Sequence, residues 1–204
     1  MRVLSVDNTR ELKVLQTKSS PIEKVDDGVL GLVDQMTKVI NTSGTVGFSA
    51  IQLGVSKRVF AINVASGLFD VAQDIKVLSG YHSLNGNNLI CVNPRIVSFS
   101  GETVVLFEGC LSASSYGLIG ISRPKHLDLK YTDLMGNECV IRAYNWLSRC
   151  IQHEMDHLNG VLLANLVDNI RNPEANSVSE EDLNTIHILL VNRNPEPCTR
   201  HDNQ

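Results

Sequence analysis

No stretch of this 204-residue sequence is apolar for long enough to span a bilayer, and no run rich in lysine and arginine occurs in it. The first absence excludes a membrane-spanning helix. The second, with a formal net charge of -4, removes any general electrostatic pull toward nucleic acid or an anionic membrane surface. The opening Met-Arg-Val-Leu-Ser-Val-Asp7 has one basic residue and no long apolar segment, so no secretory signal is expected. Cysteines are few and odd in number: Cys91, Cys110, Cys139, Cys150 and Cys198, widely spaced. That count, in a chain large enough to build its own core, speaks against a disulfide scaffold and for a reducing compartment. Internal repeats and low-complexity tracts are lacking. What is present is 43% hydrophobic and 20% charged sequence, the composition of a folded, soluble chain, with a length that fits one domain over residues 1–204. Residues 192–204, with Pro195, Pro197 and a polar end, are expected to fray.

Periodicity places the elements. Residues 1–20 alternate loosely and give no clear pattern. Over residues 26–40, Val29, Leu30, Leu32, Val33, Met36 and Ile40 recur three and four apart, which predicts an amphipathic helix ended by Asn41-Thr-Ser-Gly44. Residues 58–64 and 89–92 read as strands, the second closed by Asn93-Pro94. Residues 97–100 and 103–107 flank Gly101-Glu102 as a hairpin. Residues 119–121, 126–131 and 138–143 read as further strands, with a turn at 133–137. Residues 65–88, with Gly67, Gly80 and Gly86, read as a long loop or an irregular hairpin. A helix is expected over 144–158, stopped by Gly160. Ser179 and the acids after it open a short helix carrying Leu183, Ile186, Leu189 and Leu190. Short strands in the middle with helices at each side predict an α+β fold.

The chemistry concentrates at residues 153–157, His-Glu-Met-Asp-His. His153 and His157 are four apart and share one helix face, one turn from each other. Glu154 can reach the same ion without ligating it, so the pattern offers a divalent metal and a proton acceptor together. Two protein ligands bind an ion weakly, and catalytic sites usually show three plus water. Downstream, Glu174, Glu180, Glu181 and His187 sit in no recognisable pattern. Upstream, Glu108-Gly-Cys-Leu-Ser112 follows a strand, and Gly109 lets the backbone turn so that Cys110 is presented at the strand end. A thiolate and two imidazoles make a tetrahedral set with one corner open. A buried core thiol is the other reading of Cys110, and spacing alone does not choose between the two.

Three motifs stand in order: Gly47-Phe-Ser-Ala-Ile-Gln-Leu-Gly54, Glu108-Gly-Cys-Leu-Ser112 and Gln152-His-Glu-Met-Asp-His-Leu158, joined by Val92-Asn-Pro-Arg-Ile96 and by Arg149. Together, over about residues 12–166, they resemble the peptide deformylases. The resemblance implies small antiparallel or mixed sheets packed around the helix that carries the histidines, with an N-terminal helix and a short C-terminal one. It implies that Cys110, His153 and His157 hold one divalent ion, natively Fe2+, with Zn2+, Ni2+ or Co2+ able to take the place. Glu154 would then be general base and afterwards acid. The Gln52 side-chain amide and the Leu111 N–H would meet the formyl oxygen, and Thr45, Val46, Gly47, Glu108 and Gly109 would line the substrate cleft. Substrates would be N-formylmethionyl ends of nascent polypeptides, met near the ribosome, with formate released. The expected protein is a monomer without nucleic-acid or membrane contacts, in the cytoplasm, or in an organelle's stroma or matrix where a transit peptide has been removed.

The chain also departs from the family pattern. Thr45 stands at the usual first glycine of the first motif, Phe48 and Ser49 replace small apolar residues, and Ala113-Ser-Ser115 replaces a common proline. None of these removes a ligand or the base, so catalysis is expected to survive with altered rate or peptide preference. The long 65–88 loop is expected to be a surface insertion rather than part of the cleft rim. Two rivals use the same helix: a metallopeptidase, whose third ligand would lie downstream, and a weak or inactive deformylase-like protein that keeps the metal for binding or stability.

Overall fold

The computed structural model describes residues 2–167. The helix expected after Ser179 and the tail from 192 lie outside the described residues. The helices, in chain order, are α1 (Thr9–Leu15), α2 (Asp27–Ser43), α3 (Val71–Asp74), α4 (Asn145–Leu158) and α5 (Leu163–Val167). The strands are β1 (Gly47–Ser49), β2 (Val59–Asn63), β3 (Ile75–Ser79), β4 (Asn88–Phe99), β5 (Thr103–Glu108), β6 (Ile119–Pro124), β7 (His126–Thr132) and β8 (Glu138–Tyr144). Six of them form one antiparallel sheet in the order β1-β2-β4-β7-β8-β3, and β5 and β6 form a second, two-stranded one. The expected α+β class is the one observed.

The sheet is covered on both faces, and the sequence shows why. On β2 successive side chains point to opposite sides. Phe60 and Ile62 pack with Leu147, Ile151, Met155 and Leu158 of α4, while Val59 and Ala61 pack with Val33, Met36 and Ile40 of α2. α2 starts where the Asp26 side chain accepts from the Val29 N–H at 3.0 Å, and it ends at Gly44, whose φ of 67° is open to glycine at little cost. It runs three residues past the expected Ile40, because Asn41, Thr42 and Ser43 continue the helix and only Gly44 turns the chain.

Four sequence expectations need correction. The patternless start contains α1, nucleated by Asn8, whose side chain accepts from the N–H groups of Arg10 and Glu11. The 65–88 loop contains α3 and edge strand β3, which pairs with β8. Val77 and Leu78 of that strand are exposed, so it carries no inward-facing alternation to read. Asn93-Pro94 does not close a strand. β4 passes through it with a register shift between Val92 and Arg95, at the place where pairing with β2 gives way to pairing with β7. Asn93 takes φ 49° there, and its side chain exchanges two hydrogen bonds with the Ile22 backbone. A proline is tolerated at such a bulge because no ladder hydrogen bond is asked of its nitrogen. Finally, residues 97–100 do not pair with 103–107. β5 leaves the main sheet and pairs with β6, from Thr103↔Pro124 to Glu108↔Ile119.

Candidate active site

Three segments meet at one end of the sheet. α4 supplies His153, Glu154 and His157. A short 3-10 turn over Leu111–Tyr116 begins directly after Cys110. A second 3-10 turn, Ala50–Leu53, follows β1 and carries Gln52. Cys110, His153 and His157 each offer one ligand atom, and these atoms lie within 4.8 Å of one another. Cys110 Sγ is 3.3 Å from His157 Nε2. A tetrahedral ion with one sulfur and one imidazole ligand separates those two atoms by about 3.5 Å, so the donor set fits a divalent metal of the zinc or ferrous class. The Nδ1 of His157 is buried without a hydrogen-bond partner among the described residues.

Behind these three side chains lies a buried charged cluster centred on Glu108. Arg123 binds its carboxylate through Nε at 2.5 Å and Nη2 at 2.9 Å, and Arg149 Nη1 donates to it at 2.6 Å. His153 Nδ1 lies 3.0 Å from Glu108 Oε2. An Nδ1–H donated to that carboxylate leaves Nε2 free to face a metal. Arg149 also donates to the carbonyls of Val104 and Ile121, and Arg123 reaches Asp156 at 2.8 Å. Burial would raise the Glu108 carboxyl, but hydrogen bonds from His153 and Arg123 outweigh it and hold its pKa at about 2. Glu108 therefore borders the cleft with its carboxylate turned to the cluster behind the ligands. Burial opposes charge on His153, yet Cys110 and Glu108 hold its pKa well above the usual value. Burial, then the positive charge of His153 and Arg123, pushes His157 well below it.

Glu154 is buried against β1. Burial pushes its carboxyl up to about 7, partly offset by His153 and by a hydrogen bond from Ser49. The Ser49 hydroxyl is 2.5 Å from Glu154 Oε2. A Cβ placed on Gly47 would come within 2.3 Å of Glu154 Oε1. Gln52 accepts from the Ser49 N–H through Oε1 at 2.9 Å, and its Nε2 donates to Ser112 Oγ at 3.1 Å and approaches Cys110 Sγ at 3.9 Å. A cleft of about 380 Å³ opens beside these groups. Thr45, Val46, Gly47, Gln52, Glu108, Gly109, Cys110, Leu111, His153 and Glu154 line it, so every site residue read from the sequence except the deeper His157 borders this cleft.

Some features were not read from the sequence. Phe48, expected to add bulk at the site, is fully buried and packs on the α2 side. The period of two puts it on the opposite face of β1 from Gly47 and Ser49. Leu68, from the segment expected to be a surface insertion, borders the cleft, so that segment does help to shape its rim. Trp146 and Leu118 also border it, and the spacing of Trp146 from His153 and Cys150 along α4 was the signal that could have placed it there. Arg123 and Asp156 carry no motif of their own; their pairing appears only when β6 lies beside α4.

Comparison with known proteins identifies the family. The family described as Polypeptide deformylase matches residues 2–173. The peptide deformylase of Wolbachia sp. subsp. Brugia malayi (strain TRS) is 39% identical over 149 residues, 72% of this chain and 78% of that protein. The peptide deformylase of Orientia tsutsugamushi (strain Boryong) is 33% identical over 173 residues, 85% of this chain and 88% of the relative. The crystal structure of peptide deformylase from Ehrlichia chaffeensis superposes with a TM-score of 0.67 at 32% identity, covering 95% of this chain and 96% of that one. On a family match that spans most of its length and on relatives above 30% identity, the chain belongs to the polypeptide deformylase family.

Proposed function

We propose that this enzyme removes the formyl group from N-formylmethionyl ends of newly made polypeptides with Cys110, His153 and His157 as metal ligands and Glu154 as its acid–base residue. The observation that carries the assignment is the approach of one thiol and two imidazoles to within 4.8 Å, with the Glu154 carboxylate on the same helix and the same cleft. When bound, a divalent ion there supplies Lewis acidity toward a water and a carbonyl oxygen. Fe2+ is the proposed native ion, with Zn2+, Ni2+ or Co2+ as substitutes; a thiolate and two imidazoles suit all four.

The chain's own residues supply the rest. Glu154, with a pKa raised to about 7, takes a proton from the attacking water and returns it to the departing amine. Gln52 spends its carbonyl on the Ser49 N–H and one amide hydrogen on Ser112; the second, held only by the long 3.9 Å contact to Cys110 Sγ, is the one proposed to meet the formyl oxygen. Leu111 opens its 3-10 turn, and the first N–H groups of such a turn have no partner inside it. Its N–H is the second proposed donor. Thr45, Val46, Gly47 and Gly109 form the rim against which the peptide lies, and Val46, Leu68, Leu118 and Trp146 offer an apolar wall for the methionine side chain. Glu108 orients His153 rather than the substrate.

We propose further that the chain acts as a single-domain monomer in the cytoplasm, on peptides emerging from the ribosome and without nucleic-acid contact of its own. The free thiols of Cys91, Cys110, Cys139 and Cys150 and the net charge of -4 support that setting. No helix among the described residues is long and apolar enough to cross a membrane. Anaerobic assay of the iron-loaded protein on formyl-Met peptides tests the assignment. Formate release should fall by about 10²- to 10⁴-fold in Glu154→Gln; a wild-type protein no faster than that variant contradicts it.

A further inference from the structure

The strand β1 carries more than a cleft wall. Its two residues facing α4, Gly47 and Ser49, bracket the Glu154 carboxylate. Oε1 occupies the place where a Gly47 side chain would stand, and the Ser49 hydroxyl donates to Oε2 at 2.5 Å. The same hydroxyl is 3.2 Å from the Glu154 carbonyl, and with a single proton to give it favours the shorter contact to the charged group. Ser49 is fully buried, so no solvent competes for the hydrogen bond. Its backbone works on the other side of the site. The Ser49 N–H can only donate, so Gln52 must turn Oε1 toward it and NH2 away, toward Ser112 and the metal ligands.

Resting on the deformylase reading above, we infer that Ser49 is a positioning residue, whose hydroxyl aims the Glu154 carboxylate while its backbone N–H orients the Gln52 amide. The chain carries a hydroxyl where the family pattern has a small apolar residue. One of the two carboxylate oxygens is thereby held by a donor, and the other, against Gly47 of the cleft lining, is left for the proton transfers. Removing the hydroxyl leaves the backbone N–H and Gln52 in place, so Ser49→Ala isolates the contact to Glu154.

The test uses the full-length, iron-loaded protein under anaerobic conditions, with formyl-Met-Ala-Ser as substrate. Four proteins are compared: wild type, Ser49→Ala, Ser49→Thr and Glu154→Gln. A hydrogen bond to a charged group sets the scale of the expected loss. Ser49→Ala should lower kcat by about 10- to 100-fold. Its KM should stay within about twofold of wild type because uniform binding is untouched, its iron content should be unchanged, and its Tm should fall by only about a few degrees, the cost of one buried hydrogen bond. Ser49→Thr keeps the hydroxyl and should lie closer to wild type than Ser49→Ala. Ser49→Ala with wild-type kcat, a loss that follows lost iron or unfolding of the variant at the assay temperature, or a Thr variant as slow as the Ala variant overturns the inference. Wild type no faster than Glu154→Gln defeats the deformylase reading itself, so the two failures are told apart.

Discussion

Gly47 has no side chain because the Glu154 carboxylate stands where one would be, 2.3 Å from the position of its Cβ. Heavy atoms do not tolerate that distance, so Gly47→Ala must displace either the strand or the carboxylate. Since β1 is tied to β2 from Gly47↔Ile62 to Ser49↔Phe60, the carboxylate is the part expected to give way. If Glu154 is the general base proposed above, moving it by about an ångström loses roughly 100-fold in rate. Gly47→Ala should therefore lower kcat by about that factor while the metal content, measured by plasma emission, stays at wild type. At this scale the sequence was legible where chemistry dictates the residue type. The histidine pair and the glutamate stand out by their spacing because few other residues can do the work proposed for them, while Cys110 was singled out only through the three motifs taken together. Ser49 and Arg123 were not legible, since a hydroxyl 105 positions from Glu154 and a guanidinium 33 positions from Asp156 gain meaning only from packing.

Elements are joined to the site by buried charge. Arg149 reaches from α4 to carbonyls on β5 and β6 and to Glu108, so one guanidinium fastens the small sheet to the helix that bears the histidines. Removing one member of a buried, hydrogen-bonded charge cluster leaves the others unpaired and costs about 3–5 kcal/mol. Arg149→Met should lower the urea midpoint by a corresponding amount, and a change of less than about 1 kcal/mol counts against this role. A second ion pair, Asp128 with Arg142, ties β7 to β8 at 2.6 Å. The hydrogen bond from Arg142 holds Asp128 below its ordinary carboxylate value, against the opposing effect of burial. A depressed carboxyl contributes stability above its unfolded pKa of about 3.9, and that contribution disappears as pH falls through the lower folded value. The Tm gap between wild type and Asp128→Asn should therefore be present at neutral pH and close below about pH 4; a gap that widens in acid is the contrary result. Helices α2 and α4 were readable because each buries one stripe against the sheet. Strand β3 and the course of β4 were not, because one lies exposed at an edge and the other hides a bulge at Asn93-Pro94.

At the scale of the whole molecule, motifs spread from Gly47 to His157 converge because the sheet is clasped between two helices and its edge strand β1 lies against α4. The N-terminal segment completes the arrangement. Leu4 N–H donates to the Gln52 carbonyl and Val6 N–H to the Ser112 carbonyl, each at 2.9 Å, so one short strap spans the turns that carry the first two motifs. The class of fold followed from period, while this strap could not, since its two anchoring bonds are made by backbone N–H groups and the side-chain contacts of Arg2 with Glu11 and of Asp7 with Ser115 follow no periodic pattern. The account rests on one sulfur and two imidazoles sharing an ion, and X-ray absorption at the zinc edge of the zinc-loaded protein reads that shell directly. One sulfur at about 2.3 Å and two imidazole nitrogens at about 2.0–2.1 Å are predicted, the sulfur vanishing in Cys110→Ala. A shell of nitrogen and oxygen alone, unchanged by that substitution, would contradict the account.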